Sequence, residues 1–135
     1  MAAPKESWRS KSSKESKPWG DTVVWHTFQS IHGKVITIHK GHRTSLKYHS
    51  IKNEVFFVLR GLVKVTHGNS KTLKDSEKHP YRVSILKPGE ILMVQSECPY
   101  RIEALEESEI IEVGDRCDNE PIRLEDDYGR AKKES

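Results

Sequence analysis

The hydrophobic and polar residues of this chain follow one another in short runs that predict β-strands. Runs rich in Val, Ile, Phe and Tyr are separated by turn signals such as Lys40-Gly41, Gly61 and Lys87-Pro88-Gly89, the composition and punctuation typical of a β-protein. No window shows sustained helical periodicity. The predicted strands are Thr22–His26, Lys34–His39, Thr44–His49, Glu54–Arg60, Leu62–His67, Tyr81–Leu86, Glu90–Val94, Tyr100–Leu105 and Glu109–Val113.

Many short antiparallel strands in one small domain favour a double-sheet jelly roll or a small barrel. A barrel of this size leaves an interior wide enough for one small ligand. The segment His67-Gly68-Asn69-Ser70 predicts a hairpin tip, and the polar residues 70–80 predict an exposed loop. With 135 residues the chain suits a single domain.

The ends of the chain differ from its middle in composition. Residues 1–17 are rich in Ser and Lys, which predicts a disordered arm. The folded domain is then 18–130, and 131–135 is a flexible tail. Residues 1–19 hold five Lys or Arg and two Glu, so the arm carries the whole formal charge of +3. The domain itself is neutral, which argues against a nucleic-acid interface.

Cysteine content and hydropathy indicate the compartment. Cys98 and Cys117 form neither a disulfide framework nor a metal-type pair. No apolar run approaches the roughly 18 residues of a membrane span, and the N-terminus lacks the apolar core of a signal peptide. We therefore expect a cytoplasmic protein with no membrane partner.

Candidate chemistry lies in two segments, residues 41–61 and 89–101. In an extended strand, residues two apart share a face, so Lys47 and His49 project together. Glu54 returns toward them on the next strand, and Tyr100 approaches from the second segment. This two-part spacing resembles the paired motifs of the cupin superfamily, in which these positions hold a metal inside a double-stranded β-helix.

The ligand types at these positions leave the metal in question. Only His49 and Glu54 are good divalent-metal ligands, and an ammonium at Lys47 repels a dication. The sequence therefore allows either no metal or one ion of Zn, Mn or Co on His49 and Glu54, and the metal-free form fits better. In that form Lys47 pairs with Glu54 within a network that includes Tyr100 and His49. The other histidines, including His26, His32, His67 and His79, show no spacing that suggests cooperation.

Three segments carry a closer resemblance: Lys17–Gly20, Thr44–His49 and Ile122–Arg130. Together they resemble the type II mannose-6-phosphate isomerase cupin, a module often joined to a mannose-1-phosphate guanylyltransferase. The resemblance covers residues 17–130, and the terminal Glu-Asp-Asp-Tyr-Gly-Arg of that family is complete. The chain departs from the family by having Lys47 in place of Gln, Ser50-Ile51 where histidines are common, and Tyr100 in place of His.

The resemblance implies a phosphorylated-sugar ligand and aldose–ketose isomerisation. It implies that Arg130 helps to handle the sugar phosphate. From the chemistry that isomerisation needs, we expect Lys47, His49 and Glu54 to act with Arg130 in catalysis. We expect substrate contacts at Arg43, Ser45, Lys52, Tyr100 and Arg101. Two alternatives stay open. One is a metal-free cupin that binds a sugar or sugar nucleotide without turnover, and the other is a structural partner that uses the basic arm. The resemblance also implies a homodimer paired through its sheets.

Overall fold

The computed structural model describes residues 3–116 and 118–130. Within these residues the chain forms two antiparallel sheets and one short helix, which confirms the predicted all-β jelly roll. No helix in the described part of the chain has the length and apolar character needed to cross a membrane. Cys117 and the predicted tail 131–135 lie outside the described residues.

The larger sheet has six strands, which come from the N-terminal part of the chain and from its middle and later parts. Its strands, in spatial order, are β1 (Ser12–Lys17), β2 (Gly20–Trp25), β3 (His32–Ile38), β10 (Ser108–Gly114), β5 (Glu54–Arg60) and β8 (Ile91–Val94). The five-stranded sheet runs in the order β11 (Ile122–Glu125), β4 (Leu46–Tyr48), β9 (Tyr100–Ala104), β6 (Val63–His67) and β7 (Arg82–Leu86). Every predicted strand is therefore present, with bounds shifted by a few residues.

The hydrophobic core lies between the two sheets. Alternate residues of the central strands face inward, as Phe56 and Val58 do on β5 and Val63 and Val65 do on β6. These side chains are no more than 2% exposed. Burying aliphatic and aromatic surface of this kind is the main favourable term in folding. The cluster is Trp19, Ile36, Ile38, Phe56, Val58, Val63, Val65, Leu86, Val94, Tyr100, Ile102, Ala104 and Ile110.

The N-terminal segment differs from the expectation of a disordered arm. Residues Ser12–Lys17 form strand β1, which pairs along its full length with β2. Its side chains are almost all exposed, so β1 is held by main-chain hydrogen bonds to β2 and carries no hydrophobic signal. Ahead of it, the ring of Trp8 packs edge-on against Phe28 at 5.1 Å between centroids.

The expected hairpin tip after β6 is instead the start of helix α1 (Ser70–Lys74). The side-chain oxygen of Asn69 accepts hydrogen bonds from the amides of Lys71 and Thr72, at 2.9 and 3.1 Å. The Thr72 hydroxyl in turn accepts from the Asn69 amide at 3.1 Å. This reciprocal capping satisfies donors that the first helical turn leaves free, so Asn69 begins a helix where the sequence suggested a turn.

Strand β11 pairs antiparallel with β4 and forms one edge of the five-stranded sheet. The pairing places Ile122 opposite Tyr48 and Arg123 opposite Lys47. A terminal segment distant in sequence therefore lies beside the first motif, and the two together form one wall of the barrel interior.

Candidate functional site

The barrel interior opens into a cavity of about 480 Å³. A volume of this size lies in the range of small-molecule sites. The cavity is lined by Glu15, Lys17, Trp19, Val24, Trp25, His26, Thr27, Gln29, His32, Lys34, Lys47, His49, Lys52, Glu54, Tyr100, Glu112, Asn119, Glu120, Pro121, Arg123 and Arg130. Six of the residues singled out from the sequence are therefore brought together, namely Lys47, His49, Lys52, Glu54, Tyr100 and Arg130.

Strand register explains how the two motifs meet. On β4 and just beyond it, the two-residue period turns both Lys47 and His49 toward the cavity. Lys47 is the register partner of Tyr100 on β9, and its Nζ lies 5.6 Å from the centre of the Tyr100 ring. The spacing read from the sequence therefore predicts the convergence of these side chains correctly.

Glu54 lies at the centre of a buried polar network. The Tyr100 hydroxyl donates to its Oε1 at 2.7 Å, His49 Nε2 lies 3.3 Å from the same oxygen, and Lys52 Nζ lies 3.3 Å from Oε2. Burial and the neighbouring carboxylate of Glu54 raise the pKa of Tyr100 well above its usual value, so its hydroxyl stays protonated and donates. Both oxygens of Glu54 thus have partners.

A main-chain carbonyl fixes the proton on one nitrogen of His49. The ring Nδ1 lies 3.1 Å from the carbonyl oxygen of Asn119, and a carbonyl only accepts hydrogen bonds. Nδ1 therefore carries a proton, and Nε2 is the ring nitrogen that lies beside Glu54. The side chain of Asn119 also accepts from the amides of Ile51 and Lys52, and so holds the loop that carries Lys52.

The expected ion pair between Lys47 and Glu54 is replaced by one between Lys52 and Glu54. Lys47 makes no ion pair with any described carboxylate and instead lies over the Tyr100 ring. Burial, together with the positive charge of Lys34, lowers the pKa of Lys47 to about 8. Lys47 is thus an ammonium at neutral pH that gives up its proton more readily than an ordinary lysine.

A second carboxylate, Glu112, lies in the same cavity and was missed by the sequence reasoning. His32 Nε2 lies 2.5 Å from its Oε2, and Lys34 Nζ lies 3.6 Å from the same oxygen. Although burial raises the pKa of Glu112, the charge of Lys34 and the hydrogen bond from His32 outweigh it, and the pKa lies below its usual range. The local spacing of His32 gave no sign of this partner, because the β3–β10 pairing joins residues 80 positions apart.

Three of these side chains form a group that could hold a metal ion. One donor atom each from His32, Glu54 and Glu112 lies within 4.8 Å of the others. This set shares Glu54 with the predicted pair but has His32 and Glu112 in place of His49. By donor type it suits a divalent ion. By charge it does not, because Lys52 and Lys34 already pair with Glu54 and Glu112 and would repel a dication.

The other predicted substrate contacts, Arg43, Ser45 and Arg101, are not among the described residues that line the cavity. The guanidinium of Arg43 donates to Asp127 at 2.6 and 2.9 Å. Arg101 is buried and donates to the Thr44 carbonyl at 2.9 Å, and Ser45 is buried with no partner for its hydroxyl. Roles for Arg43, Arg101 and Ser45 in ligand binding stay predictions.

Arg130 lines the cavity and is held in place by its own segment. Its Nε and Nη2 donate to the two carboxylate oxygens of Asp126 at 2.9 and 3.0 Å. Its guanidinium also lies 5.8 Å from the centre of the Tyr128 ring. The terminal motif noticed in the sequence thus forms a compact unit that positions Arg130 at the cavity wall.

Comparison with known proteins identifies the fold. No protein-family model and no curated protein matches the sequence. Among solved structures, KdgF from Halomonas sp. has a TM-score of 0.65 at 15% identity, over 78% of this chain and 88% of that one. CapF from Staphylococcus aureus, a capsular polysaccharide assembling protein, has a TM-score of 0.72 at 14% identity, over 87% of this chain. A variant of oxalate decarboxylase from Bacillus subtilis has a TM-score of 0.65 at 19% identity, over 78% of this chain.

These neighbours are cupins, so the chain has the cupin fold. The chain spans most of KdgF but only 33% of the CapF chain and 27% of the oxalate decarboxylase chain. Folds of this kind host many chemistries, so the activity has to be argued from the side chains of the cavity.

Proposed function

We propose that this protein is a sugar-phosphate isomerase of the mannose-6-phosphate isomerase type, with its substrate bound in the barrel cavity. The observation that carries the proposal is the cavity wall, where proton-transfer groups lie among an excess of positive charge. Among the described lining residues, the carboxylates are Glu15, Glu54, Glu112 and Glu120, and the cations are Lys17, Lys34, Lys47, Lys52, Arg123 and Arg130. Such a wall favours an anionic ligand over a neutral one.

Aldose–ketose isomerisation moves one proton between neighbouring carbons. In the proposed reaction His49 Nε2 takes the proton from C2 of the open-chain aldose, and the C2–H electrons form a C1–C2 double bond. The carbonyl electrons pass to the C1 oxygen. The proton then returns to C1, the O2 hydroxyl proton moves to the C1 oxygen, and a ketone is left at C2. No oxidant or reductant is needed.

The chain supplies the groups that this reaction requires. The ammonium of Lys47 donates a hydrogen bond to the developing oxyanion, the role expected of an oriented donor in a site with little water. Glu54, 3.3 Å from His49 Nε2, stabilises the imidazolium that forms, and the Asn119 carbonyl keeps the ring oriented. A metal on His32, Glu54 and Glu112 would polarise the sugar oxygens as a Lewis acid, but the lysine-paired carboxylates favour a metal-free site.

The alternative is a cupin that binds the sugar phosphate without turnover. It is favoured because both carboxylate oxygens of Glu54 already have partners, namely Tyr100, His49 and Lys52. Because both oxygens of Glu54 already have partners, catalysis depends on His49 Nε2 reaching the substrate.

Proton NMR of mannose 6-phosphate in D₂O separates the two functions. The proposed isomerase exchanges the C2 proton for deuterium and produces fructose 6-phosphate. His49→Gln removes the base and lowers both rates by about 10²- to 10⁴-fold, whereas His42→Gln, on an exposed turn, leaves them unchanged. Binding without exchange or product would rule out the isomerase and leave the binding module.

A further inference from the structure

The positive side chains expected from the sequence to contact the substrate, together with Arg130, all have protein partners. A cation that already has a carboxylate or carbonyl partner gives less to a ligand, because it must first lose or share that contact. The partners are Asp127 for Arg43, Glu54 for Lys52, the Thr44 carbonyl for Arg101 and Asp126 for Arg130.

Arg123 on β11 is different. Its Nε is buried and has no hydrogen-bond partner, and no described carboxylate forms an ion pair with it. Arg123 lines the cavity. A buried charged donor without a partner is costly to leave unsatisfied, so this atom points to a ligand group that the protein alone does not supply.

The neighbour of Arg123 raises that cost. Arg123 is the register partner of Lys47 on β4, which has no carboxylate partner among the described residues either. Like charges placed opposite one another on adjacent strands are destabilising. The positive charge of Arg123 is among the influences that disfavour the ammonium form of Lys47. Two adjacent cations without an anion on the same wall form a local site for a negative group.

A second buried donor without a hydrogen-bond partner lines the same cavity. Trp19 is only 4% exposed and its ring lines the cavity, yet its indole Nε1 has no hydrogen-bond partner. Buried indole N–H groups usually find an acceptor. Unpaired donors therefore line the cavity at β11 and at the turn between β1 and β2, whereas Glu54 and Glu112 already have cation or hydroxyl partners.

We propose that Arg123 binds the oxyanion group of the ligand, with its guanidinium held beside Lys47 at the β4–β11 pairing. Under the proposed function this group is the phosphate of the sugar, and the inference rests on that function for its ligand. The guanidinium donates to two oxygens at once, which a lysine at the same position cannot do. Lys47 then faces the carbonyl end of the same molecule. A sugar carboxylate presents the same two-oxygen chemistry, so both sources are compared in the test.

The test is calorimetric titration of the full chain with mannose 6-phosphate, mannose, galacturonate and inorganic phosphate. For Arg123→Gln we expect mannose 6-phosphate to bind about 10- to 100-fold more weakly than to the wild type. Arg60→Gln is the matched control, since Arg60 pairs with Glu109 at the surface and does not line the cavity. Arg123→Lys keeps the charge but loses the two-oxygen geometry, and we expect an intermediate loss.

Thermal unfolding of the same variants separates binding from stability. Because the buried Nε of Arg123 has no hydrogen-bond partner to lose among the described residues, Arg123→Gln should have a melting temperature equal to or above that of the wild type. If mannose 6-phosphate binds Arg123→Gln as tightly as the wild type, the inference is overturned and the proposed function stands.

The other outcomes distinguish the two ideas. If the wild type ignores mannose 6-phosphate but binds galacturonate or inorganic phosphate through Arg123, the subsite stands and the proposed function fails. If the wild type binds none of the three anions, both are overturned.

Discussion

Two buried carboxylates lie side by side in this barrel, each with a histidine and a lysine. Glu54 contacts His49 and Lys52, and Glu112 contacts His32 and Lys34. The first group is local in sequence, with all members within residues 49–54. The second joins β3 to β10 across 80 positions. The comparison shows that a sequence motif predicts the group around Glu54, whereas the group around Glu112 forms only through the pairing of distant strands.

The two groups also differ in depth. The side chains of His49 and Lys52 are each 6% exposed, whereas those of His32 and Lys34 are 14% and 25% exposed. Charges that are better screened by solvent contribute less to stability. We therefore expect Glu54 to matter more for folding than Glu112.

The largest expected effect is on the free energy of unfolding of Glu54→Gln. Removing this carboxylate leaves Lys52 buried without its partner, which costs about 3–5 kcal/mol. For Glu112→Gln we expect a smaller loss of roughly 1–3 kcal/mol, because its partners reach solvent. Urea denaturation measures both losses. The control is Glu109→Gln, because Glu109 lies on β10 with Glu112 but pairs with the exposed side chain of Arg60. Equal losses for the two carboxylates would contradict the difference in depth.

A second effect concerns metal affinity. Lys34 and Lys52 pair with the carboxylates that would bind a divalent ion, so the double variant Lys34→Met/Lys52→Met should bind Zn²⁺ or Mn²⁺ at least about tenfold more tightly than the wild type. Metal-induced rise of the melting temperature reports this affinity without any assay of activity. Lys64→Met, on β6 and outside the cavity, is the control.

Elemental analysis of the purified wild type decides whether the lysines exclude metal. A stoichiometric ion that survives dialysis and is lost in Glu112→Gln would show that they do not.

The smallest expected effect is the pH dependence of stability from Lys47. Its pKa in the folded protein, about 8, lies below the ordinary lysine value of 10.5. Below pH 8 the buried ammonium therefore destabilises the fold, and this cost is relieved as pH rises from about 8 to 10.5. Lys47→Met should be more stable than the wild type at pH 7, by roughly 1–2 kcal/mol after allowance for partial exposure.

Melting temperatures of both proteins between pH 6 and 10.5 check this sign. The advantage of Lys47→Met should shrink as pH rises through the window. An advantage that stays constant with pH would mean that Lys47 titrates normally and that its burial has little cost.

The sequence predicts the strands with an apolar pattern and fails on the elements that lack one. Strand β1 consists of Ser, Lys and Glu side chains that face solvent, so only its main-chain pairing with β2 reveals it. Helix α1 begins at the reciprocal hydrogen bonds between Asn69 and Thr72. In the sequence, the residues around Asn69 are equally typical of a turn.

The candidate site likewise has features that the sequence predicts and features that it does not. Convergence of Lys47, His49, Glu54 and Tyr100 follows from spacing, because strand period and motif distance fix it. The ion-pair partners do not follow, since the choice between Lys47 and Lys52 for Glu54 depends on side-chain reach. The parts of the wall formed by Glu112 and Arg123 depend on which strands pair, which no local pattern encodes.

The most direct test of the account is a crystal structure of the protein with mannose 6-phosphate. The account predicts the sugar inside the barrel, with its phosphate within hydrogen-bond distance of Arg123 and its C1–C2 end beside His49 Nε2 and Lys47. A sugar phosphate bound outside the cavity, or reversed so that its phosphate lies beside His49 and Lys47 and away from Arg123, would contradict it.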